Sequence, residues 1–164
     1  MRSICRKLKA LLLVGIIASA AVGGCGPANE DVMLWKVRIY RGGTGLCVET
    51  ADADTLERLV RGLLETADNG LWEAVTPERI QEIKRRDSCV EVVYRQPRET
   101  TVALDGKVIT FDRVLIPLDG LYVYDGGAVA VFWGNGSYEG FPLLNSAGVS
   151  ALTKALSRLE SFKP

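Results

Sequence analysis

The residues able to do chemistry here are scattered carboxylates and a few cysteines, with no histidine anywhere in the 164 positions. The absence of histidine excludes Ser-His-Asp and Cys-His triads and every histidine-based metal site. A Gly-x-Ser-x-Gly elbow is missing, as is a calcium loop of alternating acids. Asp105, Asp119, Asp125 and Glu139 could in principle supply the paired carboxylates of general acid–base work. The first three each precede a glycine, and turn chemistry accounts for them without catalysis. Cys47 could act as a nucleophile, yet no activating base stands near it in sequence. No metal and no cofactor is expected.

Binding chemistry is better represented. Lys84-Arg85-Arg86 could hold an anion, although cations in the last turn of a helix also suit its dipole. Gly42-Gly43-Thr44-Gly45 suggests a phosphate loop, but no Gly-Lys-Ser/Thr follows. A hairpin turn needing positive φ explains these glycines. Tyr122, Tyr124 and Trp133 form the third constellation. Side chains alternate along a strand, and two-residue turns carry the parity onward. Counting this way puts Phe111, Leu115, Tyr122, Tyr124, Val131 and Trp133 on one face. Val114, Ile116, Leu121, Val123, Ala130 and Phe132 take the other. Both faces are apolar in the later strands, so both need a cover. Helices supply one; a loop around Trp72 or a partner molecule supplies the other. The three rings are thus a candidate binding surface, with core residence as the competing reading. A bulge near Asp112–Arg113 would swap the faces.

The N-terminus carries a different signal. Arg2, Arg6, Lys7 and Lys9 precede an apolar run from Ala10 to Val22. A basic region, a short apolar core and small residues at the cut make a secretory signal peptide. The run is too short for a spanning helix, which needs about 20 residues. Val22-Gly23-Gly24-Cys25 resembles the lipobox of bacterial lipoprotein precursors. The resemblance covers residues 1–25. It implies cleavage after residue 24, acylation of Cys25, and a lipid anchor on the extracytoplasmic side of the cell membrane or outer membrane. Gly26, rather than Asp, after the cysteine resembles the outer-membrane-sorted pattern. Gly26 to Asp31 would form the tether, reaching at most about 20 Å.

With Cys5 removed and Cys25 acylated, Cys47 and Cys89 remain. An even pair in a compartment where disulfides persist reads as a structural disulfide rather than two free thiols. It would be worth about 4 kcal/mol in the chain-entropy model. The mature chain keeps 16 basic against 20 acidic residues, net −4. That argues against nucleic-acid binding and against a polybasic membrane patch.

The elements that must position these residues follow from periodicity. Leu34 to Tyr40 alternates as a strand, and Leu46-Cys47-Val48 starts another. Asp54-Thr55-Leu56-Glu57 reads as a capping box before Leu59, Val60, Leu63 and Leu64 at helical spacing. Thr76-Pro77 opens a second helix, with Ile80 and Ile83 inward. Strands are expected near 90–94, 100–104, 107–117, 121–125, 128–133 and 138–142, with Asp-Gly turns among them. Val149, Leu152, Leu156 and Leu159 mark a last helix, capped by Asn145 or Ser146. The fold class is α+β: a largely antiparallel meander with helices packed on one face, in a single domain over residues 32–164. The reading of function is a membrane-anchored, non-catalytic binding or accessory module of the cell envelope, with an envelope protein or glycan as partner. The alternatives are a carboxylate-dependent enzyme acting on envelope polymers, or a structural envelope protein.

Overall fold

The computed structural model describes residues 35–138 and 140–159. The leader, Cys25, the tether and Glu139 lie outside the described residues. In chain order the elements are β1 (Trp35–Arg41), β2 (Thr44–Cys47), α1 (Thr50–Glu65), β3 (Asn69–Gly70), α2 (Pro77–Arg86), β4 (Cys89–Thr101), β5 (Val108–Pro117), β6 (Val129–Gly134), β7 (Leu143–Asn145) and α3 (Ser150–Leu156). The strands form one antiparallel sheet in the order β2-β1-β4-β5-β6-β7-β3. The fold is α+β. Among the described residues no helix is long and apolar enough to cross a membrane.

The leucine stripes of α1 and α3 do what their spacing predicts. Leu56, Val60 and Leu64 of α1 and Leu152 and Leu156 of α3 join one core with Val37, Val92 and Val114 of the sheet. Each such fully buried side chain contributes about 1.5–3 kcal/mol relative to exposure. The opposite face carries a smaller core. Ile80 and Ile83 of α2 pack there with Cys89, Leu115 and Phe132. Thr76 caps α2 as expected: its hydroxyl oxygen accepts from the Arg79 N–H at 3.3 Å, with Pro77 in the first turn.

Helix α1 begins at Thr50, one turn before the expected box, with no side-chain cap at Glu49. The box residue Glu57 lies inside the helix and is buried. It accepts from the Tyr94 hydroxyl at 2.8 Å and from Arg61 Nε at 3.2 Å. Residues 121–125 form no strand. They make a single bridge, Val123 to Val129, because Asp125–Gly127 closes a 3₁₀ turn that needs positive φ at Gly126. The last strand falls at 143–145 rather than 138–142. Asn145 does not cap α3 directly. Its Oδ1 accepts from the N–H groups of Ala147 and Gly148, and its Nδ2 donates to the Leu63 carbonyl.

An irregularity in the β4–β5 ladder changes which rings share a face. Val93 pairs with Arg113, but the next pair is Arg98 with Phe111. Residues 94–97 therefore stand opposite Asp112 alone. Phe111 and Val114 are three positions apart yet lie in the same core, which regular alternation forbids. Pro97, which cannot donate to a ladder, sits inside the bulged segment. Parity carried across this point is inverted, so Phe111 packs on the α1–α3 side while Leu115 packs on the α2 side. The Asp125–Gly127 turn inverts it again, because it holds three residues rather than two and sets Tyr122 opposite Ala130. Trp133 therefore packs on the α1–α3 side while Tyr122 packs on the α2 side.

The expected Cys47–Cys89 disulfide is not formed. Cys89 is a buried free thiol. Cys47 of β2 pairs with Arg38, and Cys89 of β4 pairs with Tyr40, on the two opposite sides of β1. Two strand spacings separate them, about 10 Å, and a disulfide does not reach beyond about 7 Å between Cα atoms.

Candidate functional site

Arg38 and Tyr40 alternate with the buried Val37 and Ile39 along β1, so they point to the α2 side of the sheet. The same parity sends Cys89 and Glu91 of β4 to that side, directly opposite Tyr40 and Arg38. Helix α2 runs over this patch, and its last turn adds Lys84 and Arg85. Between α2 and the β1–β2 turn lies an open cleft of about 430 Å³, lined by Arg38, Tyr40, Gly43, Gln81, Lys84 and Arg85. The hairpin turn contributes by close approach. Gly43 has φ +84°, and a β-carbon there would stand 3.7 Å from the Arg85 carbonyl oxygen. Gly45 makes room for the Tyr40 ring, which a β-carbon would meet at 2.8 Å.

Beneath the cleft is Glu91, 3 % exposed. One carboxylate oxygen accepts from Lys84 Nζ at 2.5 Å and from the Tyr138 hydroxyl at 2.8 Å. The other accepts from the Tyr40 hydroxyl at 2.8 Å. The Lys84 ammonium also sits 5.1 Å from the centre of the Tyr40 ring and 5.5 Å from that of Tyr138, within cation–π range. Burial acts to raise the Glu91 pKa. The hydrogen bond and charge of Lys84, with the two phenols, outweigh it and hold the carboxyl below its ordinary value. Glu91 is therefore ionised. Burial and then the Glu91 charge push Tyr40 up to about 12. The same two causes push the Cys89 thiol up to about 12, which leaves it protonated and inert.

The basic triplet divides into three roles. Lys84 neutralises Glu91. Arg86 pairs with Glu82 at 2.9 Å. Arg85 faces the cleft with Arg38, and neither forms an ion pair with a carboxylate among the described residues. Arg38 was not a sequence candidate. Its one signal was its place in the polar half of an alternating strand, which looks like an ordinary solvated face.

The candidate carboxylates are not gathered in a cleft. Asp105 is held by Lys107, through the backbone N–H at 3.0 Å and Nζ at 2.7 Å. Asp125 is exposed in its turn. Asp119 accepts from the Ser88 N–H at 2.7 Å. It lies close enough to Asp87 that burial, followed by the Asp119 charge, raises the Asp87 carboxyl. Neither lines the cationic cleft. Among the described residues no cluster of ligating side chains could hold a metal ion.

The aromatic trio does not form one surface. Tyr122 is 3 % exposed; it stacks edge-on to Phe132 and donates to Glu73 Oε1 at 3.1 Å. Trp133 is half-buried on the other side of the sheet, its indole N–H without an acceptor among the described residues. Only Tyr124 is exposed, at 38 %. The open aromatic surface lies at the β3–β7 edge instead. Trp72 is 95 % exposed and Phe141 53 %, with ring centres 6.3 Å apart, edge to face. Backbone bonds from Leu71 to Pro142 and from Val75 to Gly140 hold the two loops together. A loop around Trp72, or a partner molecule, was expected to cover the second sheet face. Leu71 and Val75 of that loop pack there together with α2, while the Trp72 indole itself turns outward.

In comparisons with known proteins, no family model, curated protein or solved structure matches the chain.

Proposed function

We propose that the chain is the precursor of a lipid-anchored lipoprotein, held on the extracytoplasmic side of the cell membrane or outer membrane through Cys25. Its domain is a non-catalytic binding module that docks an envelope protein or glycan through the β3–β7 edge. The observation that carries this reading is the exposed Trp72–Phe141 pair. Two large rings left in water forgo the stabilisation that burial gives, and their mutual geometry is fixed by backbone hydrogen bonds. Exposed aromatic residues of this kind are the commonest anchors of interfaces. Two features fit the same reading: Cys89 is a protonated thiol, and Glu91 is an ion-paired carboxylate enclosed by phenols.

A photo-crosslinking residue at position 72, compared with one at exposed Thr153 on α3, tests the docking edge in intact cells. A specific adduct at 72 and none at 153 is the expected result. Equal labelling at both positions, or none at either, removes the docking edge. Cys25→Ala should abolish incorporation of labelled lipid, and retained label removes the anchor. The second reading, an enzyme acting on envelope polymers, is favoured by the Asp87–Asp119 pair. Polymer turnover lost in Asp87→Asn with folding intact would establish that reading in place of the first.

A further inference from the structure

We propose that the cleft between the β1–β2 turn and the last turn of α2 is a binding site for a phosphate-class oxyanion. The site is separate from the aromatic edge and does not depend on the lipid anchor. Its charge is the first argument. Glu91 lies opposite Arg38 across the β1–β4 ladder, yet its two oxygens are occupied by Lys84, Tyr138 and Tyr40. Lys84 and Glu91 cancel as a pair. Arg38 and Arg85 are left facing one cavity with no carboxylate of their own among the described residues. Two uncompensated guanidiniums match a dianionic phosphate better than a singly charged carboxylate, and each can present a planar fork of N–H donors to its oxygens. This local excess stands against a mature chain of net −4.

Preorganisation is the second argument. The floor of the cleft cannot reorganise cheaply, because Tyr40 and Lys84 are both fastened to a carboxylate that is itself buried. Gly43 packs the hairpin turn on the Arg85 backbone. The volume, about 430 Å³, lies in the range of small-ligand sites and accepts a phosphate with a sugar or glycerol attached. Free phosphate, a phosphorylated glycan and a lipid headgroup share this chemistry.

The test uses the full chain as purified, in non-ionic detergent at constant ionic strength. Inorganic phosphate is titrated while backbone amide shifts are followed by NMR. A saturable shift confined to Arg38, Gly43 and Arg85 is expected. Arg38→Ala and Arg85→Ala should each weaken binding by about tenfold, since a charge-assisted hydrogen bond of this kind is worth roughly a factor of that order. Arg86→Ala, which removes a charge outside the cleft, should leave it unchanged. Glycerol 3-phosphate and phosphatidic acid vesicles are the two further arms. Competition by the first assigns a soluble ligand, and retention on the second but not on phosphatidylcholine vesicles assigns a headgroup; either supports the site. No saturable shift, shifts that follow ionic strength alone, or equal affinity in the Arg38/Arg85 double variant overturns it.

Discussion

Arg38 and Glu91 face each other across adjacent antiparallel strands and do not form an ion pair. A directly opposed pair of opposite charges would ordinarily join. Here the carboxylate is drawn under α2 by Lys84 and capped by two phenols, so the arginine is released toward the cleft. One buried charge thus does two things: it holds α2 to the sheet, and it leaves a cation free at the surface.

The α2 attachment is the first prediction. Glu91→Ala strands the Lys84 ammonium, only 14 % of whose side chain is exposed, without its counter-ion. Removing one partner of a buried pair costs about 3–5 kcal/mol. Replacing both, as in Lys84→Met with Glu91→Leu, should cost less than the two single changes added together, because neither charge is then left alone. Urea unfolding of the four chains measures this, and strict additivity would refute the coupling.

The pH dependence follows from the same cluster. Glu91 lies below its ordinary value in the folded state, so its contribution is complete above the unfolded carboxyl pKa. That contribution is lost as pH falls through the lower folded value. Tyr40 and Tyr122 behave in the opposite sense. Each is raised to about 12, by burial first and then by its carboxylate partner. Their contribution is full below pH 10 and disappears as pH rises toward 12. The melting temperature should therefore be flat near neutrality and fall at both extremes. The alkaline fall should begin near pH 10 and shrink in Tyr122→Phe.

The fold was largely legible because its signals are local. Thr76-Pro77 writes its own helix start, and the leucine spacing of α1 and α3 names the face they cover. The Asp105–Gly106 and Gly42–Gly43 turns likewise fix two hairpins. What escaped was non-local. Nothing in residues 94–97 announces how many will stand opposite Asp112, and that one irregularity moves Phe111 to the far side from Leu115. Trp133 is separated from Tyr122 by the turn between them, where Asp125-Gly126 reads as a two-residue turn and Asp125–Gly127 forms one of three. The disulfide failed for a similar reason. The even count of cysteines says nothing about β1 running between them. The cleft was half legible: Lys84-Arg85-Arg86 was visible as a charge run, but which of the three would be free depends on Glu91 and Glu82, and Arg38 comes from another strand.

Ring substitutions separate core from surface. Trp133 is half-buried within the larger core and Tyr122 lies in the smaller one, so alanine at either should cost about 3–5 kcal/mol, as for other buried aromatics. Trp72→Ala should change stability by no more than about 0.5 kcal/mol, since the ring is 95 % exposed. Thermal denaturation of the three variants decides it. A large loss at position 72 would place that ring in the fold's support rather than on a docking edge.

The last prediction concerns Cys89. Its side chain is inaccessible, and its pKa of about 12 leaves roughly one molecule in ten thousand as thiolate at pH 8. Both barriers disappear on unfolding. Iodoacetamide should therefore leave Cys89 unmodified in the native protein for as long as the domain stays folded, and should label it promptly in urea. The labelling rate should rise in Glu91→Ala, because loosening α2 from the sheet uncovers the thiol. Digestion without reductant should yield no peptide joining Cys47 to Cys89, since β1 separates them. A joined peptide, or native labelling as fast as that of the unfolded chain, would mean that the β2–β1–β4 register is not the one populated in solution.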